Sequence, residues 1–333
     1  MESDRRSFLR LAGSSLILGA GTVSNVSAQT PASPVSFPGI ANPLEGGVEA
    51  IAAGYIWTEG PVWVGGEDGY LLFSDVPGNA IHSWDGKRTT AFLAPSGYQG
   101  FPIPASIREA GSNGLALGRG GLLIADSGTR ALARVDLATR QKAVFAGSYQ
   151  GKRFNSPNDL VVARNGDVYF TDPPYGLEGV LKSPLRELTY TGVFRVTPDN
   201  QVHLITDKLF PNGIALSPDN RILYSTDNSG WVAIDLDGSG MPTGQRQFVA
   251  SEKVGGARGD GMKADSAGNI WTSGRGGIYV FSPKGDHIGF APIAGRVSNC
   301  AFGPGRYLYV TNDTQVVRGR IRADFPGGAP IQY

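Results

Sequence analysis

Asp167-Val168-Tyr169-Phe170-Thr171-Asp172 decides the fold, taken with Pro157-Asn158-Asp159-Leu160-Val161-Val162 ahead of it and the turn Arg164-Asn165-Gly166 between them. Short blocks of β-branched and aromatic residues bounded by turn formers read as strand, turn, strand. The unit recurs outward in both directions. Its second strand returns as Tyr70-Leu71-Leu72-Phe73-Ser74-Asp75, and again at residues 122–126, 222–227, 269–273 and 307–312. Its first half returns as Glu59-Gly60-Pro61-Val62-Trp63, Ser112-Asn113-Gly114-Leu115, Pro211-Asn212-Gly213-Ile214, Gly259-Asp260-Gly261-Met262 and Ser298-Asn299-Cys300-Ala301. A period of roughly 40 to 55 residues is that of four-stranded propeller blades. The expected fold is therefore all-β: a six-bladed β-propeller of four-stranded antiparallel blades around a central axis. A two-sheet sandwich would not explain six copies of one unit in phase.

If each repeat is one blade, equivalent positions converge on the axis. Glu59, Asn113, Asn158, Asn212, Asp260 and Asn299 then surround one point with oxygen-bearing side chains. One such pair, Asn-Gly or Asp-Gly, is a common turn. Six in the same phase suggest a site for a hard cation: Ca²⁺ takes six to eight oxygen ligands, whereas Zn²⁺ favours the His and Cys absent from these positions. His82, His203 and His287 fall outside the ring phase, so a Ser-His-Asp triad has no natural candidate. The single Cys300, between Asn299 and Ala301, reads as a buried structural thiol. Two stretches interrupt the rhythm, residues 95–111 and 173–190. Long ordered loops next to a ring are expected to be walls or lids over the axis.

The chain starts with Ser3-Asp4-Arg5-Arg6-Ser7-Phe8-Leu9-Arg10, a twin-arginine-like box, followed by an apolar, small-residue run and the small-x-small site Val26-Ser27-Ala28. Residues 1–28 are accordingly expected to be an export signal cleaved near Ala28, 29–53 an extension or linker, and 54–333 a single propeller domain. The protein would travel folded through the twin-arginine machinery to the periplasm, with no stable membrane anchor. A net charge of +1 with scattered Lys and Arg makes nucleic acid a poor partner and a small neutral ligand a better one.

Read together, Glu-Gly-Pro-Val-Trp from Glu59, Asn-Ser-Pro-Asn-Asp from Asn155, Phe-Thr-Asp-Pro-Pro-Tyr-Gly from Phe170, Pro-Asn-Gly-Ile-Ala-Leu-Ser-Pro-Asp from Pro211 and Gly-Asp-Gly-Met from Gly259 resemble the signatures of the SMP-30/gluconolactonase family. The resemblance implies a six-bladed propeller hydrolase with one axial divalent cation, most often Ca²⁺. It implies Glu59, Asn158, Asn212 and Asp260 as metal-binding residues, with Asp260 also the catalytic base or proton carrier. Animal members carry an Arg where this chain has Ser156, so their sugar specificity does not transfer. Asn113, Asn155, Tyr175 and Asn299 are candidate substrate contacts. The expected reaction is opening of a sugar-type lactone, the cation polarising the ester carbonyl while Asp260 assists water; direct attack by Asp260 stays open. The same ring could serve an organophosphate or phosphotriester hydrolase, or a non-catalytic periplasmic propeller that binds a ligand or a protein.

Overall fold

Strand after strand alternates or stays apolar because each is pressed between neighbouring sheets. Leu71, Leu72 and Phe73 are all fully buried, as are Leu122, Leu123 and Ile124. In the computed structural model, which describes residues 35–331, four antiparallel sheets have four strands each, and their strands pair in chain order. They comprise Thr58–Val64, Tyr70–Asp75, Ala80–Trp84 and Thr89–Leu93; Ser112–Gly118, Gly121–Asp126, Ala131–Val135 and Lys142–Ala146; Leu160–Val162, Val168–Thr171, Val193–Val196 and Val202–Thr206; and Ile214–Leu216, Ile222–Asp227, Gly230–Leu236 and Pro242–Ala250. A fifth sheet has six strands, in the order Glu49–Ala53, Gln315–Arg320, Tyr307–Asn312, His287–Phe302, Ile270–Phe281, Gly259–Ala264.

The molecule is an all-β propeller, and counted as hydrogen-bonded sheets it has five blades rather than the expected six. The cause is one long strand. His287–Phe302 pairs with Ile270–Phe281 along its first part, down to Arg275↔Arg296, and with Tyr307–Asn312 along its second, from Val297↔Asn312 to Phe302↔Leu308. The fifth and sixth repeats are thereby fused into one sheet. Around the axis each inner segment touches the next: Thr58–Val64, Ser112–Gly118, Leu160–Val162, Ile214–Leu216, Gly259–Ala264 and His287–Phe302, which returns to Thr58–Val64.

Residues 49–53, read from the sequence as the end of a linker, form a strand paired to Gln315–Arg320, with Glu49 opposite Arg318 and ion-paired to it. The edge is thus covered from both ends of the described chain. The export signal expected in residues 1–28 lies outside the described residues.

Large side chains fill the wedges between sheets. Phe154, Phe170 and Phe194 pack with Leu123 and Leu132 between the second and third sheets, and Phe73 and Trp84 pack with Tyr309 between the first and the last. Burying each such side chain contributes roughly 1.5–3 kcal/mol. Helix among the described residues is limited to three 3₁₀ turns, and no helix is long and apolar enough to cross a membrane.

Candidate active site on the propeller axis

The repeat is a device for aiming ring residues. In the three second strands that end in Ser-Asp or Thr-Asp, the Asp holds the loop that enters its own sheet. Asp75 Oδ1 accepts hydrogen bonds from Ile56 N and Trp57 N, Asp172 accepts from Asn155 N and Ser156 N, and Asp227 Oδ1 accepts from Phe210 N. The hydroxyl holds the ring residue of the next sheet: Ser74 Oγ donates to Asn113 O (2.8 Å), Thr171 Oγ1 to Asn212 O (2.6 Å) and Thr226 Oγ1 to Asp260 O (3.1 Å). Glycine completes the packing. A Cβ on Gly60 would lie 2.2 Å from Asn113 O, one on Gly213 2.1 Å from Asp260 O, and one on Gly261 2.1 Å from Asn299 Cγ. Each ring residue is followed by glycine where the next backbone crosses, except at Asp159 and Cys300.

This construction brings Glu59, Asn113, Asn158, Asn212 and Asp260 to the wall of one cavity of about 360 Å³, which Tyr175 also lines. A second cavity of about 380 Å³ adjoins it and shares Tyr175, Asn212, Asp260 and Arg296. Both loops that broke the sequence rhythm reach this end of the axis: Arg108 and Glu109 come from the first, Tyr175 from the second. Tyr175 packs edge-on to Phe210, and burial raises its hydroxyl above the ordinary tyrosine range.

Two of the sequence candidates stand elsewhere. Asn155 is fully buried, and its side chain is spent on structure: Nδ2 donates to Asp172 and to Tyr190 O, while Oδ1 accepts from Arg186 Nε. It holds the third sheet's entry loop and does not face the cavity. Asn299 is buried behind the ring: Nδ2 reaches Glu59 Oε2 and Asp159 Oδ2, both at 3.4 Å, and Oδ1 accepts from Cys300 N and Lys263 Nζ. It hydrogen-bonds Glu59 and does not line the cavity.

The electrostatics are those of a crowded acidic site. Burial pushes the Glu59 carboxyl well above the usual carboxylate range, with Asp260 and then Asp159 pushing it further. Asp260 is raised to about 8, first by burial and then by Asp159 and Glu109, against a hydrogen bond from Asn212. Its Oδ1 is buried with no hydrogen-bond partner. Among the described residues, no Lys or Arg pairs with Glu59, Asp159 or Asp260; Arg108 is paired to Glu109 and Arg296 to Asp313. An uncompensated acidic pair with an orphaned oxygen, flanked by Asn side chains, fits a bound cation with hard, oxygen-ligand chemistry. Among the described residues no three His, Cys, Asp or Glu side chains form a ready metal cluster, so amide oxygens of Asn158 and Asn212 would have to complete the set.

Asp159 and Glu109 were not singled out by the repeat. Asp159 was visible as the acid that stands where other repeats have glycine; Glu109 sits in an irregular loop with no phase to mark it.

Against known proteins, the family described as SMP-30/Gluconolactonase/LRE-like region matches residues 57–314. A gluconolactonase of Zymomonas mobilis is 45% identical over 294 residues, 83% of this chain and 81% of that protein. The solved structure of a gluconolactonase from Xanthomonas campestris superimposes with a TM-score of 0.72 at 29% identity, over 89% of this chain and 99% of that one. A calcium-binding protein from Agrobacterium tumefaciens, regucalcin, shares the fold with a TM-score of 0.64 at 20% identity, over 88% of this chain and 99% of that one.

Proposed function

The chain belongs to the SMP-30/gluconolactonase family, and from that premise we propose that it is a lactonase, opening sugar-type lactones at the axial site with the help of a divalent cation, Ca²⁺ by preference. The observation that carries this reading is Asp260, a carboxylate raised to about 8 on the cavity wall, with one oxygen buried and unpartnered beside Glu59. The names of the relatives support the substrate class.

Glu59, Asn158, Asn212 and Asp260 would hold the cation. When bound it would supply positive charge where the ester oxygen becomes negative during attack. With the cation bound, its charge would also favour ionised Asp260, which could then accept a proton from water. Asn299 keeps Glu59 in place, and Asn113 offers a polar contact on the same wall. The twin-arginine-like box supports periplasmic action, checked by fractionating cells that express the full chain.

Base uptake with a panel of aldonolactones, simple esters and a phosphotriester, with Ca²⁺ and with chelator, tests the reading. Lactone opening that stops with chelator and resumes with Ca²⁺ is expected. Turnover restricted to the phosphotriester, or none at all, would contradict it.

A further inference from the structure

Glu109 stands on the wall of the axial cavity with one carboxyl oxygen paired and the other without a partner. Its Oε1 accepts from the Arg108 guanidinium at 3.0 Å, whereas Oε2 is buried and has no partner. The backbone around it is fixed: Arg108 N and Glu109 N both donate to Gly176 O, at 2.9 and 3.2 Å, and Glu178 N donates to Ser106 O. The two long loops are therefore clamped together, with Glu109 beside Tyr175. Gly176 N in turn donates to Ser156 Oγ at 2.9 Å, which ties the clamp to the third sheet. Glu109 and Asp260 line the same cavity of about 360 Å³, so a ligand reacting at Asp260 lies within reach of Glu109.

We infer that Glu109 Oε2 accepts a hydrogen bond from a hydroxyl group of the ring-bearing substrate, and so selects polyhydroxylated lactones over bare cyclic esters; the inference rests on the lactonase reading. Burial pushes the Glu109 carboxyl up and the Arg108 guanidinium at 3.0 Å pulls it back toward the ionised form; an ionised carboxylate only accepts hydrogen bonds, so its missing partner is a donor. A bare lactone has no donor, while a sugar lactone carries several. Buried polar groups left unpaired by the wrong ligand are what give such sites their discrimination, up to about 10⁴-fold where the match is complete. Arg108 balances the charge of Glu109 and leaves the second oxygen for the ligand.

The test is the ratio of kcat/KM for D-glucono-1,5-lactone to that for δ-valerolactone, measured with Ca²⁺ in wild type, Glu109→Leu and Glu109→Gln, with thermal melts beside it. Because both substrates meet the same preparation, the ratio does not depend on how much protein is folded. The ratio is expected to fall by about tenfold or more in Glu109→Leu and by less in the near-isosteric Glu109→Gln, mainly through KM. A ratio that stays at the wild-type value in both variants, whether rates hold or fall equally on the two lactones, overturns the inference alone. No turnover of either lactone by wild type overturns the lactonase reading and the inference with it.

Discussion

The two ends of the propeller axis are lined by the same inner strands and differ in everything that matters for chemistry. At one end the strand starts present Glu59, Asn113, Asn158, Asn212 and Asp260 to a cavity of about 360 Å³. At the other, further along the same strands, Val62, Leu115, Val162, Leu216, Ala264 and Phe302 line a larger cavity of about 530 Å³. The larger void holds no carboxylate, and its axial Lys263 is already bonded to Met262 O and Asn299 Oδ1. Volume is thus a poor guide to function here. Further along the strands the side chains are apolar and pack, whereas residues at or just before the strand starts turn polar side chains to the axis.

Variants at the two ends should behave unequally. Glu59→Ala, which removes a carboxylate from the polar end, should lower kcat/KM for a sugar lactone by about 10³-fold with excess Ca²⁺; activity within tenfold of wild type would erase the distinction between the ends. Gly213→Ala forces a Cβ to 2.1 Å from Asp260 O. A displacement of Asp260 of this kind should cost about 10²-fold in kcat, read from steady-state kinetics at saturating lactone, and kinetics equal to wild type would mean the glycine does not set the ring.

The pH dependence of the metal-free protein is a third way to sharpen the contrast. Asp260 has its folded value raised from 3.8 to about 8, and Glu59 is raised too. Between those limits the folded state binds more protons than the unfolded one, so stability is highest at the acidic side and falls as pH rises. Thermal melts in chelator should drop by about 5 °C or more across this window, and Ca²⁺ at the alkaline side should restore the loss. A flat or rising melting temperature would show that the acids are not held as described. At the other end, Leu117→Ser, on a partly exposed residue of the apolar cavity, should leave kcat/KM within about twofold; a large loss would place chemistry there.

Much of this was legible in the sequence because the repeat marks fold and site together. The period-two blocks gave the strands, and the phase of Glu59, Asn113, Asn158, Asn212 and Asp260 gave the wall of the site. Asn299 shares that phase, yet its amide is spent on Glu59, Asp159, Cys300 and Lys263 and does not line the cavity. Asn155 lies in a family-like motif, but its amide serves Asp172, Tyr190 and Arg186. Glu109 was hidden because irregular loops carry no periodicity; only their length pointed to the site. The count of blades failed for a related reason. Pro292 and Gly295 look like strand breakers, yet Pro292 pairs with Gly277 at an irregularity in the register and the strand runs on.

The claim that the polar end of the axis is the reaction centre is tested most directly by Asp260→Asn. With folding verified by melting and Ca²⁺ in excess, kcat for D-glucono-1,5-lactone should fall by about 10³-fold or more, since the substitution keeps shape and removes the proton acceptor. A variant that turns over the lactone at the wild-type rate would contradict the account.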